Sequence, residues 1–186
     1  MVRGFKTKAK KKGLEIRKEL NVKLNEPLDC FELVDFLNIP TYPVDKMGEF
    51  GLSTEHINTI CYSEGKQQFS ATTISVPFGH LIFYNQSHSF ERTNSTLAHE
   101  ASHIILGHEF SLITDIKFIA REFDKDKEDE ANWLAGCLLL PEESLIWGLK
   151  KRMSIQSIAD HFNISKQMTQ WRYNSTGMKQ RMKYVR

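Results

Sequence analysis

Three residues in the stretch LAHEASHIILGH, 97–108, have the types and spacing for metal chemistry: His99, Glu100 and His103. On a helix each residue advances about 100°, so His99 and His103 lie one turn apart and within about 40° of each other. Two imidazoles so placed can converge on one Zn²⁺. Glu100 sits about 100° from His99 and points past such a metal. From there its carboxylate can take a proton from a water at the site. This pattern points to hydrolysis, with His99 and His103 as metal ligands and Glu100 as the catalytic base. The bland alternative is a helix with incidental histidines.

Two ligands do not hold a catalytic zinc; a third is required, with a fourth position open for water. The extension H-E-x-x-H-x-x-G-x-x-H fails here. Leu106 stands where its glycine would be, and His108 falls five residues past His103 rather than six. His108 would lie about 140° around the helix from His103 and reads as a structural residue or a support for a ligand. The stretch EDEANWLAGCLLLP, 128–141, offers Glu128 and Glu130, about 160° apart on a helix, so only one can face the metal. Asn132 lies one turn after Glu128 on the same face, and its oxygen can accept the outer N–H of a ligating histidine. Glu128 as third ligand with Asn132 behind it is self-consistent, and Glu130 is the alternative ligand.

The elements that must position these residues read as α+β. Residues 5–24 have a helical pattern. Asp29 is a candidate N-cap for a helix over 28–38, with Phe31, Val34, Phe36 and Leu37 on its apolar stripe. Residues 57–63, 69–76 and 80–85 are rich in β-branched and aromatic side chains, separated by EGK and PFG, and predict a small, mostly antiparallel sheet. The strand HLIFYN reads equally as an edge, to which an extended substrate could add, or as a core strand. The metal helix is expected over 94–107, with Asn94 or Ser95 as N-cap and Gly107 as its stop. Part of the following link, LITDIKFIAREF, has helical character. Residues 127–140 predict a buried helix ended by Pro141, and 142–150 a short one.

Residues 154–173 predict two short helices joined by HFNIS, in the manner of a helix-turn-helix. Asn163 takes the turn, Ser165 caps the second helix, and Ile164, Met168 and Trp171 pack it. Lys166, Gln167, Gln170 and Arg172 are expected to be exposed and are of the types that read bases or phosphates. A second function class follows: a DNA-binding regulator, or a toxin–antitoxin component, with zinc in a non-catalytic role. Glu100 argues against it, since a structural zinc is closed by four protein ligands and needs no base. DNA binding is therefore an expectation that is not favoured.

Bulk properties limit the other classes. The 186 residues suit one domain, with 40% hydrophobic and 26% charged residues, as in an ordinary globular protein. No apolar run approaches the roughly 20 residues of a membrane span, and no apolar segment follows the basic N-terminus as in a secretory signal. Cys30, Cys61 and Cys137 are odd in number and far apart, which fits free thiols in a reducing cytoplasm. Charge is uneven. Residues 1–24 carry nine Lys/Arg against two Glu, and residues 150–186 carry nine against one acidic residue, so the middle is acidic. Such a middle can steer a basic partner.

The two motifs together resemble the ImmA/IrrE metallopeptidases, which carry T-L-A-H-E-x-x-H-x-x-L-G-H-like and E-x-E-A-N-x-F-A-x-x-L-L-x-P helices. Here these read T-L-A-H-E-A-S-H-I-I-L-G-H, 96–108, and E-D-E-A-N-W-L-A-G-C-L-L-L-P, 128–141. Trp133, Leu134 and Leu140 depart from the family pattern without touching the presumed chemistry. The similarity spans roughly 14–175. The resemblance implies a minimal zincin-like metalloprotease fold, its small sheet beside the HExxH helix. It implies a zinc metallo-endopeptidase with one Zn²⁺, in a cytoplasmic, bacterial or phage setting, that cleaves a helix-turn-helix transcriptional repressor and so relieves repression. The expected organisation is a zincin-like metallopeptidase domain over 1–150. The helix-turn-helix-like segment and basic tail, 151–186, are expected to pack on the same domain.

Overall fold

A computed structural model of the chain describes residues 1–51, 53–63, 66–67, 69–77, 79–109 and 124–181; the helix expected within LITDIKFIAREF lies outside the described residues. In chain order the elements are α1 (Phe5–Glu19), α2 (Cys30–Phe36), β1 (Thr41–Pro43), a 3₁₀ segment (Val44–Phe50) and α3 (Thr54–Cys61). There follow β2 (Tyr62–Ser63), β3 (Lys66–Gln67), β4 (Ala71–Val76), β5 (Gly79–Tyr84) and α4 (Phe90–Ile105). The chain continues with α5 (Lys125–Leu139), α6 (Glu142–Lys150), α7 (Ile155–His161), α8 (Lys166–Ser175) and α9 (Met178–Arg181). The architecture is mixed α+β, as expected. No described helix is long and apolar enough to cross a membrane.

Helix α5, buried through its C-terminal half, is packed between α1 and α4. Leu134, Leu138 and Leu139 are fully buried in the main core with Leu33, Leu97 and Leu145. Gly13 sets the approach of α1, because a Cβ there would stand 3.0 Å from the Cys137 backbone. A buried helix end leaves carbonyls that water cannot reach. Two buried arginines meet them. Arg17 of α1 donates Nη1–H to the Leu138 carbonyl at 2.8 Å, and Arg172 of α8 donates Nε–H to the Leu140 carbonyl at 3.0 Å. Cations at a helix C-terminus also suit its dipole. Arg172 is therefore not the exposed base-reading residue expected from sequence. It is 2% exposed, lies over the Trp133 ring and donates to Cys137 Sγ. Burial pushes the Cys30 and Cys137 thiols up, and neither forms a disulfide.

The sheet order is β1-β5-β4, with β4 antiparallel and β1 parallel to β5. Of the two readings of HLIFYN the core strand holds, since β5 is the central strand of the three. Its unbroken apolar run, Leu81-Ile82-Phe83, is what burial on both faces requires. Alternation sends Ile82 into the helical core and Leu81 and Phe83 into a second cluster with Val44, Met47 and Ile74. The edge facing the helices is β4. Residues 57–61, read as strand, belong to α3, and only Tyr62–Ser63 pairs, with Lys66–Gln67.

The metal helix begins earlier than expected. Ser89 is the N-cap of α4, and neither Asn94 nor Ser95 has that role. Asn94 is fully buried and ties three segments together. Its Oδ1 accepts from Cys30 N–H at 2.7 Å, and its Nδ2 donates to the Leu28 and Asn163 carbonyls at 3.0 and 2.9 Å. Asn94→Ala orphans three buried backbone groups. It is expected to destabilise the fold by about 2–4 kcal/mol in urea unfolding, and a loss under about 0.5 kcal/mol would contradict this clamp. Other local expectations hold: Asp29 and Ser165 cap α2 and α8, and Asn163 has φ +53°.

Candidate metal centre

Two helices supply the site. Capping by Ser89 and the Gly107 turn, with φ +68°, bound α4 so that its HExxH turn lies in the last third. Asp124 caps α5, accepting from Asp126 N–H and Lys127 N–H, which puts Glu128 in the first turn. The packing of α4 on α5 then brings the expected residues together.

His99 Nε2 and His103 Nε2 are 3.1 Å apart. Glu128 completes a triangle, its Oε2 3.2 Å from His99 Nε2 and its Oε1 3.4 Å from His103 Nε2. Among the described residues this is the cluster able to hold a metal ion. A tetrahedral zinc with bonds of about 2.0–2.1 Å has ligand atoms about 3.3 Å apart, close to each of these separations, the two to Glu128 being made by different carboxylate oxygens. Two imidazole nitrogens and a carboxylate are also a common donor set for catalytic zinc. The residues fit the ion.

What stands behind the triangle fixes the imidazole tautomers. His99 Nδ1 is 3.1 Å from Asn132 Oδ1, an oxygen that can only accept. The proton of neutral His99 is thereby held on Nδ1, and the Nε2 lone pair faces inward. Asn132 thus lies where its spacing from Glu128 suggested, against His99. Behind His103 stands His108, read from the sequence as structural or a support for a ligand, and behind His108 stands Glu130, which the sequence offered only as an alternative ligand. His103 Nδ1 is 2.8 Å from His108 Nδ1, and His108 Nε2 is 3.6 Å from Glu130 Oε2. Glu130, the alternative ligand, is thus directed to His108 and away from the triangle. The 160° between the two glutamates has this consequence.

Glu100 is 4% exposed, and Thr73 Oγ1 of β4 donates to its Oε2 at 2.6 Å. Thr73 was missed by sequence reasoning. Its only signal is the alternation of β4, which cannot say what the inward residue will meet. The site opens on a cleft of about 630 Å³ whose walls include Ser70, Arg92, His99, Gln167 and Trp171. The first turn of α8 therefore faces the cleft. Ser165 N–H donates to Ser95 Oγ of α4 at 2.9 Å. Two polar residues of the C-terminal helices lie away from the triangle: His161 bonds the Asn25 carbonyl beside Trp147, and Tyr173 packs on the main core.

A mixed α+β fold with a His-His-Glu triangle at the end of a cleft, and a buried carboxylate on the next helical position, defines a zincin-like metallopeptidase. The chain belongs to peptidase family M78, the IrrE N-terminal-like domain, whose model matches residues 51–174. The match starts later than the resemblance read from the sequence and ends within α8. No curated protein and no solved structure matches the chain.

Proposed function

We propose that the protein is a zinc-dependent endopeptidase whose substrate is a helix-turn-helix transcriptional repressor, so that cleavage relieves repression. The observation that carries the peptidase reading is the His99–His103–Glu128 triangle with Glu100 buried beside it at the cleft. The repressor rests on the resemblance of the two motif helices.

In this reading His99, His103 and Glu128 hold one Zn²⁺. When bound, zinc acts as a Lewis acid that brings the pKa of a water toward about 7. Glu100 takes the proton from the attacking water and returns it to the leaving amine. Thr73 orients the Glu100 carboxylate by donating to its Oε2. Asn132 keeps His99 in the tautomer that presents Nε2, and the His108–Glu130 pair does the same for His103. The edge of β4 that has no paired strand among the described residues takes the substrate as an added strand.

We read residues 151–186 as part of the peptidase body. The family match runs through 151–174, Ser165 is bonded to α4, and Gln167 and Trp171 line the cleft. Arg172, a residue a recognition helix would present to DNA, is buried against α5. The test mixes the zinc-loaded chain with a purified helix-turn-helix repressor taken from an adjacent reading frame. The expected result is discrete fragments that a zinc chelator suppresses. An intact repressor under conditions where the chain cleaves other peptides would remove that substrate.

A further inference from the structure

Arg92 is a cleft residue that the peptidase chemistry leaves unused, and its local position is unfavourable. It stands three residues after the N-cap Ser89, where a glutamate would close a capping box and where the helix dipole repels a cation. A local rule broken without a structural return is expected at functional positions. Arg92 has no carboxylate partner among the described residues. Its Nη2 donates to Ser70 Oγ at 3.0 Å, which holds the exposed guanidinium against the start of β4. It is the one lysine or arginine among the described residues that line the cleft.

Two elements measure its distance from the chemistry. Arg92 and His99 are seven residues apart on α4, about 10 Å along the axis and within about 20° of the same face. Ser70, the residue before β4, meets Arg92, and Thr73 of β4 meets Glu100. Those three residues also span about 10 Å. The helix and the edge strand therefore run side by side in the same direction. A peptide added antiparallel to β4, the more stable pairing, runs from the level of Thr73 toward Ser70. Its third residue or so beyond the scissile bond arrives at Arg92.

We infer that Arg92 is a specificity subsite that binds an aspartate or glutamate side chain about three residues C-terminal to the scissile bond. This rests on the endopeptidase reading above. The guanidinium is a planar fork that matches a carboxylate, and Ser70 reduces the freedom lost on binding. The guanidinium is exposed, so the expected selectivity is about five- to tenfold in kcat/KM over a lysine at that position.

The experiment profiles cleavage of a randomised peptide library by the full-length, zinc-loaded chain, with mass spectrometry locating each cut. Wild type should enrich Asp and Glu near the third position after the cut. Arg92→Gln should lose the enrichment while retaining its zinc, and Arg92→Glu should shift it to Lys and Arg. Cleavage with no acidic enrichment at that position, or an enrichment that persists in Arg92→Gln, overturns the subsite and leaves the peptidase standing. No cleavage of any peptide by wild type overturns both.

Discussion

Glu100→Gln is expected to keep a full complement of zinc and to lose peptide cleavage by about 10²–10⁴-fold in kcat. Glutamine has the size of glutamate and retains an oxygen for the Thr73 hydroxyl, so the contact at 2.6 Å survives. The substitution also removes a charge from a residue that is 4% exposed, so folding is not expected to suffer. What it removes is the capacity to accept a proton. Glu100 is absent from the His99–His103–Glu128 triangle, which is why metal content and turnover should separate. Zinc analysis and a cleavage assay on the same preparation measure both. Turnover within tenfold of wild type would mean that another group takes the proton, and loss of zinc would mean that Glu100 supports the metal.

The second large effect divides two glutamates that lie two residues apart. Glu128→Ala leaves two imidazoles, too few for a catalytic zinc, and zinc affinity should fall by more than about 100-fold with activity lost. Glu130→Ala leaves the triangle whole but takes the carboxylate from His108, whose Nδ1 faces His103 Nδ1 at 2.8 Å. Its zinc affinity should fall by about 10–100-fold, with activity recovered at saturating metal. Competition against a chelator of known affinity gives both values. The reverse order, with Glu130→Ala the weaker binder, would transfer the ligand role to Glu130.

The parts of this site that were legible in the sequence are those set by one helix at a time. The four-residue interval puts His99 and His103 on one face, and the same interval puts Asn132 behind Glu128. The two-residue interval turns Glu130 away. The caps at Asp29 and Ser165 are equally local, because each side chain bonds a backbone N–H two or three residues on.

The misreadings are long-range in origin. Asn94 looked like a cap because it is polar near a helix start, yet it satisfies backbone groups 64 to 69 residues distant. Residues 57–61 carry β-branched side chains, and tertiary packing overrode that weak preference in favour of α3. Arg172 shares its sequence character with exposed arginines. Only the orphaned carbonyls of α5, more than thirty residues away, put it inside. Strand order followed the same logic: alternation identifies a strand, but which neighbour it pairs with depends on the whole sheet.

By itself, then, the sequence determined the residue types of the candidate metal site, their helical faces and the family they resemble, because helix geometry is periodic and short in range. The tertiary structure decided which helix faces meet, that β4 rather than β5 is an edge among the described residues, and that Thr73 meets Glu100 while Arg92 lines the cleft. Those choices depend on contacts between residues far apart in the chain, and their energies arise only when the layers pack.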